Sequence, residues 1–141
     1  MRQLKLNQEF LAAYIGMDKI CAEKLGIATG GVTEYINKLT NTRFAPRRDE
    51  VLPRLVRYRS IRNRIAHEVG AMASLSEISR EDIKWIRAFA KDVADKSDPI
   101  SVYLKNAGRY VRGRVLLRSF SIGAVTVIAI LLIIFIILLL K

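Results

Sequence analysis

Two residue types that commonly build metal and disulfide sites are nearly missing from this chain of 141 residues. It contains one cysteine, Cys21, and one histidine, His67. A single cysteine excludes an internal disulfide and a zinc site built from cysteines. A single histidine excludes a metal cluster with several imidazole ligands. We expect Cys21 to be a small buried hydrophobe, and we expect the protein to use no metal ion and no cofactor.

Acidic residues are also few in comparison with basic ones. The chain has 24 Lys and Arg against 13 Asp and Glu, and its formal net charge at pH 7 is +11. A balance of this kind favours polyanionic partners, which are nucleic acid, anionic lipid headgroups or an acidic protein. The sequence shows no glycine-rich phosphate loop and no internal repeat.

The longest apolar run lies near the C-terminal end of the sequence. Residues 120–140 carry no charged side chain and are followed by Lys141. In a helix these residues span roughly 31 Å, about the thickness of a hydrocarbon core. A buried central helix is the alternative, but a helix of that kind is seldom apolar on all sides for so long. We therefore predict a transmembrane helix over residues 120–140.

The charges beside this run predict its orientation. Four arginines lie in residues 109–119, which we take as a basic juxtamembrane segment, whereas only Lys141 follows the run. The N-terminus has no apolar stretch typical of a secretory signal. Because basic flanks stay on the cytoplasmic side, we expect a single-pass protein whose N-terminal domain lies in the cytoplasm. The arginines, which can also contact anionic lipid, are Arg109, Arg112, Arg114 and Arg118.

Helical periodicity runs through the rest of the chain, and no segment alternates convincingly with a period of two. We therefore predict an all-α fold, a bundle of four or five helices followed by the transmembrane helix. Gly26, Gly30 and Gly31 mark the break after the first helix, and Gly70 suits the C-terminal cap of the third. The predicted helices run from Asn7 as N-cap to about Leu25, through Val32 to Leu39, from Asp49 to Val69, from Ser79 onward and from Pro99 onward.

Apolar residues at helical spacing predict the side of each helix that faces the core. Ser79 with Asp82 indicates a capped start of the fourth helix. The predicted core residues are, in chain order, Leu11, Tyr14, Ile15, Cys21 and Leu25 in the first helix, Val32, Tyr35, Ile36 and Leu39 in the second, Val51, Leu55, Tyr58, Ile65 and Val69 in the third, and Ile83, Ile86, Ala90 and Val93 in the fourth.

The third predicted helix places polar side chains where apolar ones are expected. Projection at about 100° per residue puts Arg62 near the middle of its apolar stripe. A guanidinium in that position is costly unless it is paired or reaches along its stem to a wet cavity or a subunit interface. Asn63 and His67 share a neighbouring face, and Arg59 lies between the two groups. Local rules are usually broken in this way at functional or strained sites.

Other interpretations of these side chains stay open on the sequence alone. His67 suits a surface position near the C-terminal end of the helix, where a cation is favoured by the dipole. Arg62 would be equally satisfied by an ion pair with an acidic residue of another helix. Arg64 lies on the polar face, either as a solvated charge or as a contact to an RNA backbone. The neighbouring arginines form either a backbone-binding surface or an ordinary solvated face, and they are Arg43, Arg47, Arg48, Arg54, Arg57 and Arg59.

The six residues Arg62-Asn63-Arg64-Ile65-Ala66-His67 resemble the R-x4-6-H motif of the HEPN superfamily, the higher eukaryote and prokaryote nucleotide-binding domains. Beyond these six residues the likeness consists of helical order and basic charge. It implies a HEPN-like helical domain over residues 1–108 and metal-independent endoribonuclease activity. In enzymes of the family, two domains pair so that their motifs meet in one cleft. The C-terminal anchor is no part of the family pattern.

The residue types of this motif suit RNA cleavage through the 2′-hydroxyl. An imidazole with a pKa near neutrality takes or gives a proton. A guanidinium binds phosphate oxygens in a fork and keeps its charge. We therefore expect catalytic roles for His67, Arg62 and Asn63, with Asn63 positioning one or both of the others, and RNA contacts from Arg59 and Arg64. One histidine per chain cannot be both acid and base as a separate pair, so a symmetric homodimer would supply the second.

The leading interpretation is a membrane-anchored endoribonuclease that acts as a homodimer on RNA and leaves 2′,3′-cyclic phosphate ends. The resemblance suggests a toxin or a role in defence against phage, in a bacterial inner membrane, with an inhibitor or antitoxin protein as a further partner. One alternative is a non-catalytic module with the same fold that binds RNA, a nucleotide or a protein. Another is a membrane adaptor whose basic face holds anionic lipid.

Overall fold

All regular structure in the described part of the chain is helical. The computed structural model describes residues 2–109, and the chain divides into two compact units, Met1–Tyr103 and Leu104–Lys141. In the second unit, residues 104–109 are helical. The helices of the first unit are α1 (Arg2–Leu25), α2 (Gly31–Asn41), α3 (Arg48–His67), α4 (Ala71–Ser74) and α5 (Arg80–Ala94), and residues 99–103 are helical as well. The predicted all-α class is confirmed for these residues.

The predicted transmembrane helix falls outside this part of the chain. Residues 120–140, and all but the first residue of the basic segment 109–119, lie beyond the described residues. Among residues 2–109, no helix is both long enough and apolar enough to cross a bilayer. The membrane span therefore stays a prediction.

Helix α1 starts earlier than predicted, because Asn7 is not its cap. The helix begins at Arg2, and Asn7 lies inside it, fully buried. The Asn7 amide nitrogen donates hydrogen bonds of 2.9 Å to the backbone oxygens of Met72 and Leu75. A buried amide is tolerated when it is hydrogen-bonded in this way. Asn7 therefore ties α1 to the segment that follows α3.

The core-facing side of α1 matches the prediction in part. Tyr14 and Cys21 are buried, as expected, and burial raises the pKa of the Cys21 thiol to about 12. Ile15, which was assigned to the core, is 57% exposed. Phe10 and Met17 are fully buried instead, since positions 10, 14, 17 and 21 recur on one side of a helix.

Helix α2 starts where the chain passes very close to α1. Gly30 has a φ of 72°, and Gly31 opens the helix. A Cβ on Gly31 would lie 2.1 Å from the backbone oxygen of Asp18 and 2.2 Å from the backbone nitrogen of Ala22, so only glycine fits. The Asp18 carboxylate accepts the backbone N–H of Val32 at 2.8 Å and caps the helix. The four predicted core residues of α2 are buried, namely Val32, Tyr35, Ile36 and Leu39.

Helix α3 lies close to its predicted bounds but differs at its C-terminal end. Val69, assigned to the core, follows the helix and is fully exposed. Gly70 is not the C-cap; the cap residue is Glu68, and Gly70 precedes α4 with a φ of 80°. Ile61, which the predicted stripe omitted, is buried. The other predicted core residues are buried, namely Val51, Leu55, Tyr58 and Ile65.

The start of α5 was predictable from its capping residues. The Ser79 hydroxyl accepts the backbone N–H of Asp82 at 3.2 Å, and the Asp82 carboxylate accepts the backbone N–H of Ser79 at 2.8 Å. This reciprocal pair is the predicted capping box. The predicted apolar stripe of the helix is buried, namely Ile83, Ile86, Ala90 and Val93. The chain is helical again from residue 99, as Pro99 predicted.

A buried polar cluster joins α1, α2 and the turn at residue 99. Asp98 is fully buried and accepts hydrogen bonds of 2.6 Å from the Lys24 ammonium and from the Tyr35 hydroxyl. Burial by itself would raise the pKa of Asp98, but the hydrogen bonds from Lys24, Ser101 and Tyr35 outweigh it and hold that pKa below its usual value. The carboxylate therefore stays ionised inside the unit.

Candidate functional site

The C-terminal half of α3 carries the residues of the predicted site. His67 is the last residue of the helix and is exposed, Asn63 is exposed, and Arg62 is half-buried. At about 100° per residue, Arg62 and His67 point roughly 140° apart around the helix axis, while Asn63 lies on the side of His67. In the same projection Arg62 lies between the buried Val51 and Leu55, near the middle of the core-facing stripe as predicted, and its side chain is half-buried because it faces a concavity.

Arg62 faces a concavity of about 310 Å³ between α1, the start of α2 and α3, which we call the α1–α3 pocket. Its polar lining comes from three parts of the chain that are distant in sequence. The close contact at Gly31 holds the start of α2 against α1, and α3 forms the remaining wall. The polar residues that line it include Tyr14, Asp18, Thr29, Thr33, Arg59 and Arg62.

His67 faces a second and more open concavity of about 430 Å³, which we call the His67 groove. Val56 and Ser60 line it together with Arg64. Arg59 and Asn63 line both the groove and the α1–α3 pocket. The five predicted site residues therefore lie on one continuous surface, although Arg62 and His67 of one chain do not share a concavity.

Several arginines around this surface are committed to ion pairs. A guanidinium nitrogen of Arg57 lies 2.9 Å from the Asp82 carboxylate. A guanidinium nitrogen of Arg64 lies 2.6 Å from the Glu77 carboxylate, and this hydrogen bond raises the pKa of Arg64. An RNA contact from Arg64 stays a prediction, and it would have to compete with Glu77. The arginine run is thus a mixture of paired and unpaired charges.

Arg59 and Arg62 are different from these neighbours. Within residues 2–109, neither guanidinium lies within 4.0 Å of a carboxylate, so the ion pair considered for Arg62 is not found there. The one hydrogen bond of Arg62 in this part of the chain goes to the amide oxygen of Asn63, at 3.2 Å. Two cations that form no ion pair with the described residues, beside one concavity, are suited to holding an anion.

The surroundings of His67 fit both interpretations of that residue. It is exposed at the C-terminal end of α3, where a cation suits the dipole. Its ring forms no hydrogen bond to any of the described residues, and it shares a face with Asn63, so a substrate can reach it. No group of three or more Cys, His, Asp or Glu within residues 2–109 is arranged to hold a metal ion.

The Tyr14 hydroxyl was not predicted from the sequence as part of the site, because the spacing of Tyr14 in α1 is typical of a core residue. Tyr14 lies on the buried stripe of α1 and is 4% exposed, yet it lines the α1–α3 pocket. Burial and the nearby Asp18 carboxylate raise the pKa of the Tyr14 hydroxyl to about 12, against the opposing effect of Arg62 and Arg59. A tyrosine rather than a phenylalanine at a core position is the signal that was available in the sequence, since a buried hydroxyl usually needs a partner.

Comparison with known families assigns the chain to a family whose activity is not known. A family of unknown function, DUF6548, matches residues 8–118. Because the match covers most of the sequence, the protein belongs to this family. No curated protein and no solved structure matches the chain.

Proposed function

We propose that the protein is a membrane-anchored, metal-independent endoribonuclease with a HEPN-like domain, active as a homodimer. The observation that supports this proposal is the position of the motif residues. Arg62 and His67 lie on an accessible surface of α3 and make no ion pair with the other described residues, while the neighbouring Arg57 and Arg64 do. Ionisable side chains that the fold does not use are available for a ligand.

In the proposed reaction, the RNA supplies its own nucleophile. An imidazole takes the proton of a 2′-hydroxyl, and the 2′-oxygen attacks the adjacent phosphorus. Arg62 holds the non-bridging oxygens as their charge grows, because its planar donors fit a phosphate and stay charged. The 5′-oxygen leaves with a proton from a second imidazole. The products are a 2′,3′-cyclic phosphate end and a 5′-hydroxyl end.

A homodimer would resolve the separation of Arg62 and His67 around α3. In one chain the two side chains face different concavities. Two-fold pairing that places the His67 groove of one copy against the α1–α3 pocket of the other would combine the two side chains and would supply two imidazoles. On the side of α3 that carries His67, exposed uncharged residues recur at Val56, Ser60 and Asn63. Uncharged residues at this position suit contact between two identical basic chains, and Glu68 in the groove offsets part of the charge of Arg59 and Arg64.

Cleavage of a mixed RNA pool by the full chain, in mild detergent and EDTA, tests this proposal. We expect His67→Ala and Arg62→Ala each to lower the cleavage rate by at least roughly 100-fold, the usual contribution of a proton-transfer group and of a donor that stabilises developing charge, respectively. Arg87→Ala is the control, because Arg87 is exposed on α5 and lines neither concavity. Product ends are identified by their resistance to phosphatase. Cleavage that survives His67→Ala would contradict the assignment of the site.

A non-catalytic module that binds RNA is the second candidate. It is favoured by the separation of Arg62 and His67 into two concavities of one chain, which leaves no complete catalytic set in a monomer. Under this alternative a folded homodimer binds RNA with an affinity that falls steeply with salt, and it cuts none of the RNAs tested.

Under the first proposal, expression of the protein is toxic unless an inhibitor is present, and His67→Ala removes the toxicity.

The proposed anchor leads to a separate prediction about location. We expect the full chain to sediment with membranes and to resist carbonate extraction, because residues 120–140 are long and apolar enough for one span. A variant ending at residue 118 should stay in the supernatant. A tag at the N-terminus should be protected from protease in intact spheroplasts, as the positive-inside rule requires. Full release by carbonate would contradict the anchor, and digestion of the tag would contradict the orientation.

A further inference from the structure

The Tyr14 hydroxyl has no partner in the described part of the chain, unlike two other buried tyrosines. The hydroxyls of Tyr35 and Tyr58 donate to Asp98 and Asp82, at 2.6 and 2.8 Å. Tyr14 is nearly as buried as these two, yet its hydroxyl makes no hydrogen bond to residues 2–109. No fully enclosed polar side-chain atom in that range lacks a partner. The Tyr14 hydroxyl must therefore reach open space, and the space beside it is the α1–α3 pocket.

The other groups around the pocket are mostly hydrogen-bond donors as well. Arg59 and Arg62 contribute guanidinium groups from α3. Thr29 and Thr33, which each carry a hydroxyl donor, line the pocket from the α1–α2 connection and the first turn of α2. Donors from three elements thus converge on one volume, which is what an oxyanion requires.

The charge of the lining indicates how strongly negative that oxyanion should be. Arg59 and Arg62 supply two positive charges and the Asp18 carboxylate supplies one negative charge, so the net charge of the lining is +1. One oxygen of Asp18 already accepts the backbone N–H of Val32, so the carboxylate is held in place as part of the wall. One net positive charge matches a phosphodiester, which carries one negative charge, better than a terminal phosphate, which carries close to two at neutral pH.

We propose that the α1–α3 pocket binds a phosphodiester group of RNA and that the Tyr14 hydroxyl donates a hydrogen bond to one of its non-bridging oxygens. The identity of the RNA rests on the proposed function, whereas the phosphate chemistry rests on the pocket alone. Because Arg59 and Asn63 line both concavities, a strand held here continues into the His67 groove. Tyr14 is a binding residue and not a proton-transfer group, since a hydroxyl with a pKa of about 12 stays protonated at neutral pH.

Tyr14→Phe tests this inference, because it removes the hydroxyl and keeps the ring that packs 6.2 Å from Phe10. The ligand is a fluorescent single-stranded RNA with 2′-O-methyl groups, which cannot be cleaved through the 2′-hydroxyl, and the readout is anisotropy with the full chain in detergent. We expect Tyr14→Phe to raise the Kd roughly tenfold, as loss of a hydrogen bond to a charged group does, and to leave the Tm unchanged.

Tyr35→Phe is the matched control, because it also removes one buried tyrosine hydroxyl. That hydroxyl is bonded to Asp98 and lies in the polar cluster, away from the pocket. We expect Tyr35→Phe to lower the Tm and to leave the Kd for RNA unchanged. An unchanged Kd in Tyr14→Phe, or no RNA binding by the folded parent protein, overturns the inference.

Competition experiments identify the source of the phosphate. A 2′-O-methyl dinucleotide, which contains one phosphodiester, should displace the RNA from the parent protein and compete less well in Tyr14→Phe. Displacement by inorganic phosphate or adenosine 5′-monophosphate, but not by the dinucleotide, would show that the pocket binds terminal phosphates. That result would overturn the assignment of a phosphodiester as its ligand. RNA binding that depends on Tyr14, without cleavage of unmodified RNA, would refute the endoribonuclease and leave the pocket standing. Cleavage of unmodified RNA with a Kd that is unaffected by Tyr14→Phe would support the endoribonuclease and refute the phosphodiester site in the α1–α3 pocket.

Discussion

Asp98→Asn is expected to lower the free energy of unfolding by ~3 kcal/mol, because it breaks a buried ion pair by removing one partner. The Asp98 carboxylate is fully buried, and the Lys24 ammonium that it pairs with is 2.6 Å away. An asparagine can still accept the hydrogen bond from Tyr35, but it cannot neutralise Lys24. The side chain of Lys24 is 18% exposed, so partial hydration keeps the loss at the lower end of the range for such pairs.

The same carboxylate should make the stability depend on pH in the acid range. The pKa of Asp98 is lowered in the folded protein, so the folded state binds its proton less readily than the unfolded chain. The stabilisation is therefore complete above the unfolded pKa of about 3.9 and is lost as the pH falls through the lower, folded value. We expect the parent protein to lose more stability than Asp98→Asn as the pH falls below about 4.

Urea denaturation of the full chain in mild detergent measures both effects. The single tryptophan, Trp85, reports unfolding, since its half-buried ring packs against the core and stacks on Phe89 with the ring centroids 5.1 Å apart. Asp49→Asn is the control, because Asp49 also pairs with an arginine at 3.2 Å but is 97% exposed. That variant should change the stability by less than about 1 kcal/mol. A variant Asp98→Asn as stable as the control would show that the buried pair does not hold the unit together.

The parts of the fold that could be predicted are those with local causes. The capping box of Ser79 and Asp82 involves two residues of one turn, and the apolar stripe of α2 is set by spacing alone. Asn7 shows where local signals stop. An asparagine before an apolar helical stretch is a typical N-cap, and nothing local indicates that its amide bonds the carbonyls of Met72 and Leu75 far along the chain.

The candidate site divides in the same way. Helical spacing alone put Asn63 and His67 on one face of α3, and the structure has them there. The pairing of Arg64 with Glu77 depends on how the chain returns after α4, so spacing could not distinguish this arginine from Arg59. The α1–α3 pocket exists only because three elements meet, so no single element of the sequence predicts it, and the tyrosine at core position 14 indicates only that its hydroxyl needs a partner.

Gly31→Ala is expected to destabilise the protein by ~3 kcal/mol, the upper end of the usual effect of overpacking. The added Cβ would lie 2.1 Å from the Asp18 backbone oxygen and 2.2 Å from the Ala22 backbone nitrogen. Both atoms belong to the backbone of α1, so no side chain can move to make room. Helix α2 would have to shift away from α1, and the hydrogen bond between Asp18 and the Val32 N–H would break.

Gly16→Ala is the matched control for this substitution, and it should have the opposite sign. Gly16 lies inside α1, and a Cβ there would have no neighbouring atom within 4 Å. Alanine in a helix interior is more stable than glycine by about 0.5–1 kcal/mol, so Gly16→Ala should stabilise the protein. If Gly31→Ala were as stable as Gly16→Ala, the inference that α1 and α2 approach too closely for a side chain at position 31 would be wrong.

The two glycine variants also separate the pocket from the rest of α3. The first turn of α2 forms one wall of the α1–α3 pocket, whereas the His67 groove has no residue from α2. A shift of α2 in Gly31→Ala should therefore raise the Kd for 2′-O-methyl RNA at a temperature where the variant is still folded, and Gly16→Ala should leave it unchanged. Lost stability with unchanged affinity would mean that RNA is held by α3 alone, without the wall that Gly31 positions.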